Sequence, residues 1–407
     1  MENTSPNNAD LARRLLSHCL EGTHWPENLV DRLIEDDASR ELFSIVVERL
    51  SDLFEPRLCD VYAELFSEVI GKVLPDDLHE PHLFARYQRV RRPDPVPAAH
   101  LRIRNVFVLS RVTLGADVAV TSVVLDAAKR AFPEADVYFT GPQKSWELFA
   151  GDPRLQHVPV TYGRATGIRE RLSVWPELRD TICRRRSIIL DPDSRLTQLG
   201  LLPLCPEKDY YFFESRGYRS ESHDSLPQLT RQWVAEILGV PDAKPYIAPM
   251  PLTTALPQFA STVSFGVGEN AAKRLPDPFE TDLLKALPKP LLVDKGAGGE
   301  EAERVERAVE AAGGDIEVWD GSFAGFAAHI QRSRLFAGYD SAGGHVAAAC
   351  GIPMLSIFAG YPNERMFERW RPTGDGPIRV VKVVSGVDPW PEILSALEDL
   401  GPKSEVG

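Results

Sequence analysis

The segment from Phe336 to Pro353 combines residue types that bind phosphate groups. It reads FAGYDSAGGHVAAACGIP, in which a short apolar strand precedes a polar turn and a helix of small residues. Asp340 and Ser341 favour the N-cap of that helix, and the first N–H groups of a helix point toward an anion. Glycine lets the backbone approach a ligand closely. The residues expected at the turn and the helix start are Asp340, Ser341, Gly343, Gly344 and His345. An ordinary strand-to-helix connection is the alternative interpretation.

A second segment, SRVTLGADVAV (residues 110–120), places a carboxylate near the start of a helix predicted from Asp117 to Arg130. Gly115 permits a tight turn before it. The backbone dipole stabilises an anion at a helix N-terminus, so Asp117 suits a structural N-cap. A carboxylate that faces a cleft can instead act as a general base toward an acceptor hydroxyl. The pattern leaves both roles of Asp117 open.

A third segment, SFGVGENAAKR (residues 264–274), also follows an apolar strand. Lys273 could place a point charge on a diphosphate, while Gly266 and Gly268 allow close backbone approach. A solvated surface lysine is the alternative.

A fourth segment, VDKGAGGEEAERV (residues 293–305), only partly resembles a dinucleotide fingerprint. Glu301 stands where the third glycine of GxGxxG belongs, and GxxxxGK is absent from the chain. We therefore expect neither an NAD site nor a P-loop here. Glu300 is a candidate for binding a ribose hydroxyl, with an exposed helix N-terminus as the alternative.

The elements that position these segments form three parts. Apolar residues recur at helical spacing from Asp10 to Tyr87, and a basic, proline-broken segment, RYQRVRRPDPVPAAH, follows as a linker. Its arginines are expected in a solvated hinge. Strands and helices then alternate, which predicts two parallel-sheet α/β units with a break near residues 245–258. We divide the chain into residues 1–98, a helical region with its linker, 99–250, the first α/β domain, and 251–407, the second.

The predicted strands follow the apolar runs of the two α/β units. They are 106–109, 135–139, 187–190, 262–265, 291–293, 316–318, 335–337, 354–358 and 378–383. Ligands of such sheets bind beyond the carboxyl ends of the strands, so we expect the four segments to face a cleft between the units.

Composition narrows the class of protein. A chain of 407 residues implies two or three domains, and 43% hydrophobic and 26% charged residues are typical of a globular protein. The formal net charge of −13 argues against a nucleic-acid surface. No signal peptide or bilayer-spanning run is visible, so we expect a cytoplasmic protein. The five scattered cysteines indicate neither a disulfide framework nor a zinc site.

The order of the motifs resembles glycosyltransferase family 9, the ADP-heptose:lipopolysaccharide heptosyltransferases. Four segments occur in the family's order, and the likeness covers about residues 101–400. These segments are LGADV, ILDPDSRLTQLGLL, SFGVGENAAKR and FAGYDSAGGHVAAACGIPMLSIFAG. The resemblance implies a GT-B fold of two Rossmann-like domains facing across a cleft, here with an extra helical N-terminal region. It also implies a nucleotide sugar in the C-terminal domain, inversion at the anomeric carbon, no metal and no cofactor. ADP and heptose are the family's donor groups, and lipopolysaccharide or another surface glycan is its pathway.

Carried over to this chain, the resemblance makes Asp117 the catalytic base and Lys273 a contact to the nucleotide phosphates. The family's nucleotide-sugar loop corresponds to Asp340, Ser341, Gly343, Gly344 and His345. Gly266 and Glu300 are further donor-binding candidates. The chain departs from the family because Ala116 separates Gly115 from Asp117. It departs again at Ala342, where glycine is usual, and at Gly343, where proline often stands.

The acceptor is expected to be a glycan, a lipid-linked sugar or a protein. Arg195, inside DPDSRLTQ after a predicted strand, is an acceptor-binding candidate, together with Arg111 and Gly115. An arginine cluster in the middle domain would also suit a phosphorylated or carboxylated acceptor. It comprises Arg164, Arg169, Arg171, Arg179, Arg184, Arg185 and Arg186. A solvated helix face is the alternative.

Two other classes of function stay open. A binding or scaffold protein would keep the fold without turnover and use the helical region for partner contact or self-association. A sugar-nucleotide epimerase would need acid and base groups near the sugar, and His345, Glu269 and Asp294 are the nominal candidates.

Overall fold

The N-terminal region is helical, as its apolar spacing predicts. The computed structural model describes residues 7–35, 39–74, 78–97, 103–163, 167–251, 257–268 and 270–401. Its first helices are α1 (Asn8–Glu21), α2 (Glu27–Leu33), α3 (Ser39–Glu41), a π-helical stretch (Leu42–Val47), α4 (Glu48–Asp52), α5 (Pro56–Val73) and α6 (Glu80–Val90). Pro56 begins α5 at a position where the missing N–H costs nothing.

The first α/β unit contains a five-stranded parallel sheet in the order β3-β2-β1-β4-β5. The strands are β1 (Asn105–Leu109), β2 (Asp136–Gly141), β3 (Leu155–Pro159), β4 (Ser187–Asp191) and β5 (Tyr210–Phe212). The helices are α7 (Leu114–Ala116), a π-helical turn (Asp117–Thr121), α8 (Ser122–Ala131), α9 (Gln143–Trp146), α10 (Ile168–Ile182) and α11 (Leu226–Leu238).

The second unit contains a six-stranded parallel sheet in the order β11-β10-β9-β6-β7-β8. The strands are β6 (Ser261–Ser264), β7 (Leu291–Asp294), β8 (Ile316–Trp319), β9 (Leu335–Tyr339), β10 (Met354–Phe358) and β11 (Ile378–Lys382). The helices are α12 (Phe279–Ala286), α13 (Glu300–Ala312), α14 (Phe323–Ile330), α15 (Ala342–Ala349), α16 (Glu364–Trp370) and α17 (Trp390–Leu400).

Every strand predicted from the sequence is present, and its ends lie within two residues of the prediction. The sequence did not predict β3 and β5. Neither carries the continuous aliphatic run that marks the central strands, and β5 has only three residues.

The helical region shares one hydrophobic core with the first sheet. Buried side chains of α1 to α6 pack with Phe107, Leu109, Ile189 and Phe212 on one face of that sheet. A second core lies on the opposite face and continues into α14 and α15 of the second unit. The apolar faces of the N-terminal helices are therefore covered by the chain's own sheet.

The basic segment before the first sheet is not a solvated hinge along its whole length. Helix α6 continues to Val90, and Arg86 is buried, with its Nη1 donating to the carbonyl oxygen of Gly200 at 2.6 Å. Arg91 donates through Nη2 to Glu214 Oε2 at 2.9 Å. The expectation of a solvated hinge is wrong for these two arginines, because their guanidinium groups donate hydrogen bonds to a carbonyl and a carboxylate of the first unit.

No helix in the described part of the chain is long and apolar enough to cross a bilayer.

Candidate functional site

The candidate site lies where the two parallel sheets reverse their strand order. In the first sheet β1 lies between β2 and β4, and in the second sheet β6 lies beside β9. The loops that leave neighbouring strands diverge at such a point and open a crevice at the carboxyl ends. The loops after β1, β4, β6 and β9 carry Asp117, Arg195, Lys273 and Asp340, respectively.

The loops after β6 and β9 meet through an ion pair. Lys273 ends a 3₁₀ turn, and its Nζ donates to Asp340 Oδ2 in a short contact and to the Asp340 carbonyl oxygen at 3.4 Å. The Lys273 and Asp340 side chains are 16% and 5% exposed. The loop is held close to Gly360, where a Cβ would lie 2.4 Å from the Ala272 carbonyl group. The structure thus brings together the two donor-loop residues that the sequence predicts.

Ser341 is the N-cap of α15, but its side chain makes no capping hydrogen bond. Its Oγ is buried, and no described residue offers it a hydrogen-bond partner. The first N–H groups of α15 also lack intrahelical acceptors, as in any α-helix. Donors are therefore available at the helix start.

The two glycines of this motif are packing positions in the first turn of α15. Gly343 and Gly344 lie inside α15, and both are buried. A Cβ on Gly343 would approach the Phe336 ring within 2.8 Å, and one on Gly344 would lie 3.4 Å from Met354 Cε. The glycines allow close packing of α15 on the second sheet, and their role in donor binding stays a prediction.

The start of α15 touches the first unit at Gly115. A Cβ on Gly115 would lie 3.3 Å from His345 Cδ2 and 3.4 Å from Ala342 Cα. His345 is buried against Trp370, with ring centroids 5.9 Å apart, and burial lowers the pKa of its imidazole. Gly115 is thus a packing position between the two units.

At the end of β7, Glu301 rather than Glu300 turns toward the site. Glu300 is exposed at the start of α13. A Cβ on Gly266 would lie 3.0 Å from Glu301 Oε1, and Glu301 Oε2 accepts from the Ala297 N–H at 3.3 Å. Nearby, burial raises the pKa of Asp294 to about 6, while the charge of Lys144 in the first unit acts in the opposite direction. Glu269 lies outside the described residues.

Asp117 lies inside the first unit. Its side chain is fully buried, and it accepts from Ser110 Oγ and Arg111 N at 2.7 Å and from Thr121 Oγ1 at 2.8 Å. Burial raises the pKa of this carboxyl group, and the hydrogen bonds act against that shift. The expectation of a carboxylate aimed into the cleft is not met in this conformation, because both carboxylate oxygens are occupied. Its role as a base stays a prediction.

The chain around Asp117 departs from regular helix. A π-helical turn (Asp117–Thr121) follows α7, and a π turn holds one more residue than an α turn. The turn begins directly after Ala116, so Asp117 lies at its first residue. Val112, in the preceding loop, has φ of 68°, which is unusual for a β-branched residue.

A buried charge network joins the loops after β1, β4 and β5. Arg111 Nη1 donates to the Pro192 carbonyl oxygen at 2.9 Å and to Ser215 Oγ at 2.8 Å, and burial lowers the pKa of Arg111 to about 10. Asp193 accepts from Ser215 Oγ at 2.6 Å and pairs with Arg216 Nη1 at 2.5 Å. Arg111 is therefore committed to protein groups. Arg111 is expected to bind the acceptor, but its Nη1 already donates to these two protein groups.

Arg195 contacts the helical region instead of facing open solvent. Its Nη2 donates to Ser51 Oγ at 3.1 Å, while its Nη1 is buried without a hydrogen-bond partner among the described residues. Arg184, Arg185 and Arg186 of the predicted arginine cluster are exposed and directly precede β4. They thus lie at the amino ends of the strands, opposite the carboxyl ends where the candidate site lies. Arg164 lies outside the described residues.

Three residues beside the site were not predicted to be functional from the sequence: Asp193, Arg216 and Glu301. Asp193 had a detectable signal, because DPDS directly follows a buried strand and Asp tolerates the observed φ of 67°. Arg216 and Glu301 had no comparable local signal. Among the described residues, no group of three His, Cys, Asp or Glu side chains is arranged to hold a metal ion.

Known structures share this arrangement of two sheets. A family 9 glycosyltransferase from Veillonella parvula superposes with a TM-score of 0.53 at 15% identity, over 74% of this chain and 98% of that chain. The chain has the GT-B fold. Escherichia coli heptosyltransferase WaaC, determined with ADP, gives a TM-score of 0.54 at 14% identity, over 73% of this chain and all of that chain. The E. coli ADP-heptose heptosyltransferase II gives a TM-score of 0.51 at 18% identity, over 73% of this chain and 98% of that chain.

No protein-family model and no curated protein matches the chain by sequence. The predicted GT-B fold is confirmed, and so is the resemblance to family 9 at the level of the structure. About a quarter of the chain has no counterpart in these superpositions.

Proposed function

We propose that the protein is an inverting glycosyltransferase that moves a sugar from a nucleoside-diphosphate sugar to an acceptor hydroxyl without a metal ion. The observation that carries this proposal is the Lys273–Asp340 pair at the start of α15. The pair lies at the switch point of a GT-B fold, and α15 contacts the first unit there. A cation and a helix N-terminus together suit a diphosphate.

The donor diphosphate would replace Asp340 as the ion-pair partner of Lys273. The lysine charge is balanced by this carboxylate, and a diphosphate carries more negative charge and would also reach the N–H groups of α15. WaaC was determined with ADP and with ADP-2-deoxy-2-fluoro heptose. ADP-linked heptose is therefore the first donor to test.

Transfer would be a direct displacement. The acceptor oxygen bonds to the anomeric carbon on one face while the bond from that carbon to the diphosphate breaks on the other, which inverts the configuration. The leaving diphosphate keeps the electron pair, and its growing charge is balanced by Lys273 and the N-terminus of α15. Fixed donors of this kind stabilise a transition state without reorganisation.

Asp117 orders the loop that would face the acceptor. It holds the backbone of Arg111 and the side chain of Ser110 directly after β1. The base that removes the hydroxyl proton must be a carboxylate within hydrogen-bond reach of that hydroxyl. Asp117 would meet this condition only after its three hydrogen bonds rearrange.

The test is a thermal-shift screen of the whole chain against ADP, GDP, UDP and TDP sugars, followed by analysis of the products. Binding to the native state raises the melting temperature. We expect one nucleotide sugar to be consumed in the presence of EDTA, with a product of inverted anomeric configuration. Binding without consumption would indicate a scaffold protein, and an isomerised sugar released without acceptor would indicate an epimerase.

A further inference from the structure

One corner of the helical region reaches both α/β units. The Ser51–Phe54 corner joins the end of α4 to the start of α5. Its Ser51 accepts from Arg195 of the first unit, as described above. On the other side, Asn363 Nδ2 donates to the Leu53 carbonyl oxygen at 3.2 Å, and Arg365 Nη1 donates to that of Phe54 at 3.0 Å.

Aromatic packing fixes the corner against the same part of the second unit. Phe54 is buried, with φ of 53°, and its ring centroid lies 6.4 Å from that of Trp370. Trp370 in turn packs against His345 in α15 and lies 6.0 Å from the guanidinium carbon of Arg111. The corner is therefore built into the meeting point of the two units.

Asp52 occupies the middle of this corner. Four cations act on its carboxylate: Arg195 and Arg216 of the first unit, Lys273 of the second unit, and Arg49 of its own helix. The side chain is half-buried, and no donor among the described residues hydrogen-bonds to its carboxylate. Burial raises the pKa of the Asp52 carboxyl group, and the four cations act against that shift.

The other carboxylates beside these loops are already engaged. Asp117 accepts three hydrogen bonds, Asp193 is paired with Arg216, and Asp340 is paired with Lys273. Asp52 is the one of these four carboxylates for which neither oxygen takes part in a hydrogen bond or ion pair with a described residue. A general base needs this property, because it must accept a hydrogen bond from the attacking hydroxyl before it takes the proton.

We propose that Asp52, contributed by the helical region, is the catalytic base that binds and deprotonates the acceptor hydroxyl. This inference rests on the proposed transferase function. The hydroxyl proton moves to a carboxylate oxygen of Asp52 as the acceptor oxygen bonds to the anomeric carbon. The bond to the diphosphate oxygen breaks, and the diphosphate leaves with the electron pair beside Lys273. The helical region thereby supplies a reacting group to the site between the two α/β units.

The experiment compares Asp52→Asn and Asp52→Ala with Glu55→Gln, an exposed carboxylate just beyond the same corner. The donor is the ADP, GDP, UDP or TDP sugar that the wild-type chain consumes fastest, and glycerol supplies the acceptor hydroxyl. We expect Asp52→Asn to lower kcat about 100-fold or more, as loss of a general base does. Affinity for the free nucleoside diphosphate, measured by calorimetry, should stay within about threefold, and Glu55→Gln should behave as wild type.

Formate separates a base from a merely structural carboxylate. It is small enough to enter the space left in Asp52→Ala, so we expect it to restore kcat at least tenfold there and to leave Glu55→Gln unchanged. Full kcat in Asp52→Asn would overturn the proposal, and so would an Asp52→Ala variant that formate does not rescue. A wild-type chain that consumes no sugar nucleotide would overturn the proposed function and this inference together. A transferring wild type with an unaffected Asp52→Asn would overturn the inference alone.

Discussion

The two α/β units present different loops to the same meeting point. In the first unit two loop carboxylates are satisfied internally: Asp117 by three hydrogen bonds, and Asp193 by Arg216 and Ser215. In the second unit Lys273 and Asp340 satisfy only each other, beside a helix start with unused donors. The difference shows that buried networks hold the loops of the first unit in place, whereas the second unit holds an exchangeable pair, Lys273–Asp340, which an anionic ligand would replace under the proposed function.

The largest expected effect comes from breaking the first-unit network. Asp193→Asn keeps a residue that tolerates positive φ but leaves Arg216 and Arg111 without their anion. Removing one partner of a buried ion pair costs about 3–5 kcal/mol of unfolding free energy, measured by denaturant titration. Asp242→Ala, which breaks an exposed surface pair with Arg130, is the control and should unfold at nearly the same denaturant concentration as wild type. Equal losses in the two variants would mean that the network does not hold the loops.

A second buried carboxylate of the first unit should give a pH-dependent effect. Asp191 accepts from Thr197 Oγ1 at 2.6 Å and Tyr210 Oη at 2.5 Å, and burial raises its pKa to about 6. A carboxyl pKa above its unfolded value means that the stabilisation is complete below pH about 4 and lost as the pH rises through 6. The stability difference between wild type and Asp191→Asn should thus grow by about 2–3 kcal/mol between pH 8 and pH 4. A difference that is independent of pH would contradict this assignment.

The exchangeable pair of the second unit should affect binding rather than stability. Lys273→Ala removes a charged donor to the diphosphate, so ADP affinity measured by calorimetry should fall about 30-fold, or about 2 kcal/mol. Lys285→Ala, on the exposed face of α12, is the matched control and should bind ADP as wild type does. Asp340→Asn should tighten ADP binding severalfold, because Lys273 no longer has a competing partner. Weaker ADP binding in Asp340→Asn would show that the carboxylate does not compete with the nucleotide.

The smallest effect is expected at Arg195. Arg195→Ala removes a partly buried guanidinium whose Nη1 is unpaired among the described residues. The KM for an anionic acceptor should rise about tenfold, equivalent to about 1.4 kcal/mol, with kcat little changed. Arg14→Ala, an exposed arginine of α1, is the control. An unchanged KM would remove Arg195 from the acceptor site.

Local patterns predicted what depends on local sequence. Apolar runs bounded by turns located the central strands, and the polar residues that follow them located Lys273 and Asp340. The pairing of these two residues follows from topology, because β6 and β9 are neighbours in the sheet. The packing roles of Gly343 and Gly344 could not be predicted, since they depend on the ring of Phe336 and the side chain of Met354.

Features that depend on how the helical region docks were not visible in the sequence. Arg86 lies in a basic run that is typical of an exposed hinge, yet it bonds to the Gly200 carbonyl oxygen, 114 residues away along the chain. Asp52 lies in a helix with no motif around it, and its surroundings come from Arg195, Arg216 and Lys273. No pattern within either segment encodes such a distant partner.

The core shared by the N-terminal helices and the first sheet has a consequence for cooperativity. A chain that began after the linker would expose Phe107, Leu109, Ile189 and Phe212 to water, and an apolar patch of that kind promotes aggregation. The helices and the first sheet should therefore melt in a single transition. That transition would remove Asp52 and the support of the cleft together, so the proposed nucleotide-sugar turnover would cease with it.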